Sequence, residues 1–220
     1  MANSETIAAC IIAYQDKGIS RTIESVKDFV DTIYVFDGRF EGFNARTGLS
    51  TNGMREIVKS YDKTVLFDAP DLDEWQKRNL YLRQSEKDNI KWSFYIDSDE
   101  YIENVQWDLV QQDLAQLTPF NGIMAVMYLT EHGKFAGNHP RIMIAKDLEH
   151  YQCHTIYKYR PTDTIFEIKR KIFPVISGMM LRQDDSLREK TLVEESNRWQ
   201  PKMFERERIK REKLAKKVTL

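Results

Sequence analysis

Short apolar runs alternate with amphipathic segments through the first hundred residues. Apolar runs of strand length predict four strands, at Ile7–Ala13, Thr32–Phe36, Thr64–Phe67 and Trp92–Ile96, the first of them uninterrupted. Segments with helical spacing separate them, at Arg21–Phe29 with Ser20 as its cap, Met54–Ser60 and Trp75–Glu86. Continuous apolar strands that alternate with helices are typical of a mostly parallel sheet covered on both faces. The pattern therefore predicts an α/β fold whose helices flank the sheet.

The second half of the chain departs from this alternation. A helix is predicted over Trp107–Leu117, and strands are predicted at Gly122–Thr130 and Arg141–Ala145 around the loop Gly133–Pro140, with weaker strands at Thr155–Tyr159 and Ile165–Ile168. These segments indicate a mixed β extension of the first sheet. Seven basic and three acidic residues fall in Phe204–Lys217, which predicts a basic helix. We therefore expect one domain over residues 1–175 and a helical, basic extension over 176–220.

Composition narrows the class of protein. The chain has 220 residues, of which 41% are hydrophobic and 30% charged, as in ordinary globular proteins. Its 33 Lys and Arg side chains nearly balance 34 Asp and Glu, so there is no overall basic field and we expect no nucleic-acid partner.

The cellular compartment is also suggested by the sequence. Cys10 and Cys153 lie in apolar segments and are too few for a disulfide framework, which indicates buried thiols in a reducing compartment. No apolar run reaches the roughly 18 residues of a membrane span, and the N-terminus lacks the basic start of a signal peptide. We expect a soluble, cytoplasmic protein.

The sharpest chemical feature is Asp97-Ser98-Asp99, which directly follows a hydrophobic strand. In open α/β sheets, ligands bind outside the carboxyl ends of the strands. Carboxylates at positions i and i+2 point the same way and can share a divalent cation that holds a diphosphate. The alternative is a turn in which the aspartates cap the following segment. Asp37, followed by Gly38, ends an earlier strand in the same way, either to accept hydrogen bonds from a nucleoside or as ordinary turn chemistry.

Four segments together resemble the family 2 glycosyltransferases, which have the nucleotide-sugar-binding GT-A fold. They are Ile11–Asp16, similar to that family's first strand and loop, Val30–Gly38, similar to its second strand, Trp75–Asn79, similar to its Gln-x-Arg-Asn, and Trp92–Glu100, similar to its metal motif. The order and spacing of the segments carry the resemblance, which covers about residues 5–160. It implies the GT-A (nucleotide-diphospho-sugar transferase) fold and transfer of a sugar from a nucleoside-diphosphate sugar, with inversion at the anomeric carbon.

The resemblance also implies roles for individual residues. Ala13, Tyr14, Gln15 and Asp37 would line the nucleoside pocket. Arg78 would neutralise the diphosphate, with an ion pair to Glu74 or plain solvation as the alternative. Asp97 would hold the ribose and, with Asp99, a divalent cation, Mn²⁺ or Mg²⁺.

A third metal or diphosphate contact and a catalytic base are expected in the second half. His154 resembles a family histidine that reaches the metal or the diphosphate, although a structural, partly buried histidine fits the pattern equally well. The remaining histidines, His132, His139 and His150, are assigned to the hairpin region, where an acceptor would enter or where loop exposure alone explains them. Inversion needs a base for the acceptor hydroxyl. Glu149 is the first choice and Glu131 and Asp163 are alternatives, with a surface carboxylate as the competing interpretation of each.

The expected partners are a nucleotide-sugar donor and a glycan, lipid or protein acceptor. The basic C-terminal helix lacks a clean apolar stripe, which favours a solvated or oligomer-packing role over more than peripheral membrane contact.

Competing classes lack their motifs. The segment after the first strand, Ala13–Gly18, is neither the GxGxxG turn of a Rossmann dehydrogenase nor the Gly-rich basic loop of a nucleotidylyltransferase. A phosphatase of the DxDx[TV] type needs its motif after the first strand and Thr or Val in place of Tyr101. A GT-A domain that binds a nucleotide or a partner without turnover remains the alternative function, favoured by the lack of a recognisable base motif.

Overall fold

The computed structural model describes residues 5–44, 47–129, 134–152, 156–170 and 179–182, together with 201, 205–206, 208–209 and 212–213. It describes the backbone but not the side chains of residues 124–129, 134–139, 169–170 and 179–182.

The first half forms a parallel sheet with crossover helices. Its strands are β1 (Ile7–Ala13), β2 (Thr32–Asp37), β3 (Thr64–Asp68) and β4 (Trp92–Tyr95), which lie in the order β3-β2-β1-β4. Its helices are α1 (Ile19–Val26), α2 (Met54–Lys59) and α3 (Glu74–Lys87). The predicted α/β architecture is confirmed.

The predicted start of the first helix is wrong in detail. The helix begins at Ile19, so Ser20 lies inside it. The N-cap position is Gly18, and its N–H donates to Asp16 Oδ1 at 2.9 Å, a bond that fixes the turn leading into the helix.

The second half extends the sheet with mixed pairing. It contributes β5 (Glu100–Glu103), α4 (Trp107–Leu114), β6 (Asn121–Leu129), β7 (Lys134–Ile144), β11 (Lys169–Arg170) and β12 (Met179–Arg182). The strand order continues from β4 as β7-β6-β12-β5, and β11 also pairs with β6. Since β7 is antiparallel to both β4 and β6, the predicted mixed extension is confirmed.

The predicted loop Gly133–Pro140 is wrong for its described part. Residues from Lys134 onward belong to β7, because they complete the backbone ladder of β6. Pro140 fits this strand at a register shift opposite Met124, where a missing N–H is tolerated.

A small antiparallel sheet lies apart from the main one. It consists of β8 (Leu148–His150), β9 (Ile156–Tyr159) and β10 (Thr164–Glu167), with a 3₁₀ turn over Arg160–Thr162 between the last two strands. The sequence predicted β9 and β10, whereas β8 is too short to be seen as an apolar run.

Two apolar clusters cover the two faces of the sheet. Alternate residues of β1 point to opposite faces: Ile7, Ala9 and Ile11 pack with α1, α2 and α4, whereas Ala8, Cys10 and Ile12 pack with α3 and the small sheet. Burial raises the pKa of the Cys10 thiol to about 12, as expected of an inert core cysteine. Cys153 lies outside the described residues.

Two further expectations concern membrane spans and the C-terminal helix. In the described portions of the chain, no helix combines the length and the apolar character that a membrane crossing requires. The described residues between 201 and 213 are helical and exposed, in agreement with the predicted C-terminal helix.

Candidate functional site

The carboxyl ends of β1, β2 and β3 lie side by side. Ala13, Asp37 and Asp68 are partners in register across the three strands, and the Gly38 N–H donates to the Ala13 carbonyl at 3.1 Å. On the other side of β1, β4 pairs in parallel with its last residue, Tyr95, opposite Cys10. The segments after these strands therefore emerge at one edge of the sheet, where ligands bind in open α/β folds.

Asp37 is fully buried and joins three elements. Its Oδ1 accepts from the Ser50 hydroxyl at 2.6 Å, and its Oδ2 accepts from the Ser50 N–H at 3.1 Å and from Arg55 at 2.6 Å. The other arm of the Arg55 guanidinium contacts Asp68 at 2.7 Å. Asp37 thus holds the loop before α2 against the sheet, and its predicted contact with a nucleoside stays a prediction.

Gln15 and Tyr14 attach the end of β1 to the same loop. The Gln15 N–H donates to the Ser50 hydroxyl at 2.7 Å, and its amide contacts Thr47 and Thr51. The Tyr14 hydroxyl donates to the Thr47 carbonyl at 2.6 Å. Gln15 has a left-handed backbone, with φ of 53°, which turns the chain away from the strand. The structure therefore brings Ala13, Tyr14, Gln15 and Asp37 together, and their contact with a nucleoside stays a prediction.

Arg78 projects from α3 to the end of β4. Its guanidinium lies 3.3 Å from Asp97, 2.7 Å from Glu74 and 3.2 Å from the Tyr81 hydroxyl. Burial disfavours its charged form, but these neighbouring oxygens outweigh burial and raise the pKa of Arg78. Arg78 therefore forms the ion pair with Glu74 and also stands beside Asp97, and its contact with a diphosphate stays a prediction.

The Asp97–Glu100 turn is fixed by contacts from distant parts of the chain. The Ser98 hydroxyl donates to Asp16 at 2.9 Å, and the Thr22 hydroxyl lies 2.8 Å from the Ser98 carbonyl and 2.6 Å from that of Glu100. The Asp97 N–H donates to the Glu100 carboxylate at 2.8 Å, and the Glu100 N–H donates to the Asp97 carbonyl at 2.9 Å. The backbone that carries Asp97 and Asp99 is therefore fixed by Asp16 and Thr22 from the first part of the chain and by Glu100 within the turn.

Asp97 and Asp99 are the carboxylates that could hold a divalent cation together with a substrate. The Asp97 side chain is 42% exposed and reachable by a ligand, whereas Asp99 is buried. Within the part of the chain that the structure describes, no group of three or more His, Cys, Asp or Glu side chains could enclose a metal ion. Mg²⁺ typically binds through one or two carboxylates while phosphate oxygens and water complete its shell, so the residues present match that donor set.

A buried ion pair between Glu100 and Arg141 adjoins the Asp97–Glu100 turn. The two terminal nitrogens of Arg141, on β7, contact the two carboxylate oxygens of Glu100 at 2.8 and 2.9 Å. Burial raises the pKa of Glu100 to about 7, with Arg141 opposing and Asp97 and Asp99 reinforcing the shift.

Lys77 is a second buried charge at the same edge. It has no exposed surface, and its ammonium donates to the Gly38 carbonyl and lies 4.3 Å from the centre of the Phe40 ring. Burial lowers the pKa of Lys77 to about 7, although Asp37, Asp71 and Glu74 favour its charged form.

The residues predicted in the second half are only partly placed. Glu149 is half-buried on β8, between the buried residues Leu148 and His150, so its side chain points away from theirs. Its role as base stays a prediction. Asp163 pairs with Lys158 at 2.6 Å and is largely exposed. His154, His132 and Glu131 lie outside the described residues, as does the side chain of His139.

Of the two interpretations of His150, loop exposure is wrong, because this residue lies in β8. It is 2% exposed and packs among the rings of Tyr81, Tyr95 and Tyr157. Asn79 explains this placement, because its side chain bonds both the N–H and the carbonyl of His150, at 2.6 and 3.0 Å, and so docks β8 on α3.

Sequence reasoning did not assign roles to several residues of this site. Those that the structure adds are Asp16, Ser50, Arg55, Lys77, Glu100 and Arg141. Lys77 and Glu100 lie next to Arg78 and Asp99 in the sequence, and this proximity is the signal that could have identified them. Arg141 is isolated in the sequence, and only the pairing of β7 with β4 brings it here.

No model of a known protein family matches the sequence, and no curated protein sequence matches it. Among solved structures, S. aureus TarS 1–349 in complex with UDP aligns with a TM-score of 0.51 at 12% identity, over 80% of this chain and 60% of that one. A second S. aureus TarS structure aligns with a TM-score of 0.48 at 13% identity, over 82% of this chain and 37% of that one. The 4-diphosphocytidyl-2C-methyl-D-erythritol synthase of Anaerococcus prevotii DSM 20548 aligns with a TM-score of 0.43 at 10% identity, over 66% and 72%.

These comparisons concern architecture. TarS is a glycosyltransferase of the GT-A type, so the predicted nucleotide-diphospho-sugar transferase-like fold is confirmed. The chain spans 60% of the UDP-bound TarS chain and 37% of the other TarS chain.

Proposed function

We propose that this protein is a metal-dependent, inverting glycosyltransferase that moves a sugar from a nucleoside-diphosphate sugar to an acceptor hydroxyl. The observation that carries the proposal is the pairing of Arg78 with Asp97 at 3.3 Å, at the carboxyl end of β4 in a GT-A-like fold. The Arg78 guanidinium is always protonated, and the Asp97 carboxylate beside it is partly exposed. A diphosphate and a metal ion would therefore meet at this pair of side chains.

The nucleoside would bind at the ends of β1 and β2. Tyr14 and Gln15, which are hydrogen-bonded to the loop over residues 47–52, would form one wall of the nucleoside pocket, and Asp37 holds that loop against β2. Because a TarS structure in complex with UDP shares the fold, uridine is the first nucleoside to test.

The diphosphate would lie beside Arg78, Asp97 and Asp99. The guanidinium can hydrogen-bond phosphate oxygens, while the two carboxylates hold Mn²⁺ or Mg²⁺. When bound, the cation supplies charge stabilisation to the departing nucleoside diphosphate. The third contact predicted from His154 belongs to the same proposal.

The acceptor would approach from the side of the small sheet. Inversion requires a base that removes the proton of the acceptor hydroxyl opposite the leaving group. We assign this role to Glu149. A glycan, a lipid-linked sugar or a protein hydroxyl would each satisfy this chemistry.

Calorimetric titration of UDP-sugars and GDP-sugars, with and without Mn²⁺, tests the donor site. We expect micromolar binding by the wild-type chain that requires Mn²⁺ and is lost in Asp99→Ala, whereas the exposed Asp62→Ala control binds normally. A well-folded wild-type chain that binds no nucleotide would overturn the proposal. Sugar transfer to water or to an acceptor panel then separates an enzyme from a domain that binds the donor without turnover.

A further inference from the structure

The Glu100–Arg141 ion pair is enclosed and bidentate. The side chains are 3% and 5% exposed, and both terminal nitrogens of Arg141 contact carboxylate oxygens, at 2.8 and 2.9 Å. Parallel N–H bonds of this kind fix the direction of both side chains as well as their separation.

The same carboxylate also holds the backbone of Asp97. Oε2 of Glu100 accepts from Arg141 and from the Asp97 N–H, each at 2.8 Å. Because the Glu100 N–H returns a hydrogen bond to the Asp97 carbonyl, the turn is closed in both directions. The position of Asp97 therefore depends on a side chain that is oriented from β7, in the second half of the chain.

Stability alone is a weak reason for such a pair. Removing two charges from water often costs as much as their attraction returns, so apolar residues of similar size frequently stabilise a core equally well. Side chains that orient metal-binding groups, in contrast, strongly affect metal affinity without touching the metal.

We propose that Glu100 and Arg141 are positioning residues that hold Asp97 in the orientation needed for a divalent cation and a nucleoside diphosphate. This inference rests on the proposed function. It predicts that the charged pair matters for ligand binding beyond its effect on folding.

The test separates folding from positioning with a double variant. Glu100→Leu/Arg141→Met removes both charges together, so neither is left buried alone, whereas Arg141→Met by itself leaves Glu100 without its partner. We expect the double variant to recover unfolding free energy relative to Arg141→Met. We expect its affinity for UDP in the presence of Mn²⁺ to remain lower than that of the wild type by about 10- to 100-fold.

Two further variants and a second measurement complete the design. Arg141→Lys keeps the charge and should retain part of the affinity, and Arg160→Met removes an exposed arginine paired with Glu86 and should bind normally. Hydrogen exchange should show faster exchange of the Asp97 amide in the double variant, with unchanged protection in β1.

The outcomes distinguish the two proposals. Wild-type binding together with unchanged affinity and unchanged Asp97 exchange in a folded double variant would overturn the positioning role and leave the proposed function intact. If the wild-type chain binds no nucleotide, the proposed function fails and this inference fails with it.

Discussion

The ammonium of Lys77 donates a hydrogen bond to the carbonyl oxygen of Gly38, which joins the first turn of α3 to the end of β2. Lys77 has no exposed surface, and the Phe40 ring covers its charge. Because burial disfavours the charged form of Lys77, its pKa falls to about 7, and its charge therefore changes with pH in the neutral range.

Lys77→Met should flatten the dependence of stability on pH. Between pH 7 and the ordinary pKa of 10.5, the unfolded chain binds a proton that the folded chain does not, so this residue makes the wild type more stable as pH rises. Urea unfolding at pH 7 and pH 9 should show a wild-type gain that exceeds that of the variant by about 2 kcal/mol. Lys87→Met, which removes an exposed lysine at the other end of α3, should behave as the wild type. Equal pH dependence in all three proteins would contradict the burial of this charge.

Gly38→Ala should destabilise the fold. The φ of Gly38 is 153°, and an added Cβ would stand 2.6 Å from the backbone of Ala69 and Pro70, which cannot yield as a flexible side chain can. We expect a loss of about 2 kcal/mol or more in unfolding free energy, measured in urea. At Gly48 an added Cβ would lie 3.4 Å from Pro70, an ordinary contact, so Gly48→Ala should change stability by less than about 0.5 kcal/mol. A similar loss in both variants would refute the steric argument.

Arg55→Met should destabilise the protein more than Arg39→Met. Arg55 is 21% exposed and pairs with the fully buried Asp37, whereas Arg39 pairs with Asp71, which is 54% exposed. Leaving a buried carboxylate without its cation costs more than losing an exposed pair, by about 1–3 kcal/mol after allowance for the partial exposure of Arg55. Parallel urea titrations at neutral pH provide the comparison. The argument fails if the two variants lose equal stability.

Arg78→Met should weaken binding of UDP without weakening binding of uridine. The guanidinium stands beside Asp97, where we place the diphosphate, whereas the proposed nucleoside loop is bonded to Tyr14 and Gln15. We expect an affinity loss for UDP of about tenfold or more, since a charge-assisted hydrogen bond contributes about 1.5–3 kcal/mol. Arg83→Met, on the exposed side of α3, is the control for net charge. A parallel loss for UDP and uridine would show that Arg78 acts only by supporting the fold.

The core of the sheet could be predicted because its signal is local. Strand β1 is an uninterrupted apolar run and β2 and β4 are mostly apolar, and residues that follow parallel strands must emerge at one edge. The clustering of Tyr14, Gln15 and Asp37, and the approach of Arg78 to Asp97, follow from that rule together with the resemblance to a known family.

The remaining features depend on contacts that the local pattern does not encode. The strand β5 directly follows the acidic turn and pairs with β12, far along the chain. His150 is buried because Asn79 docks its backbone on α3, and Arg141 meets Glu100 only through strand pairing. A charged or imidazole side chain in a sequence carries no mark of such burial, since burial arises from tertiary partners.

The Thr22 hydroxyl has a single proton, yet it lies within hydrogen-bonding distance of two carbonyls in the Asp97–Glu100 turn. These partners are separated from Thr22 by 76 and 78 residues, and Asp16 and Ser98 by 82. Contacts between such distant residues contribute only after a long stretch of chain has closed into a loop. The Asp97–Glu100 turn therefore takes its arrangement from the first strand and helix of the chain, and a fragment that lacks β1 and α1 would carry the aspartates without that arrangement.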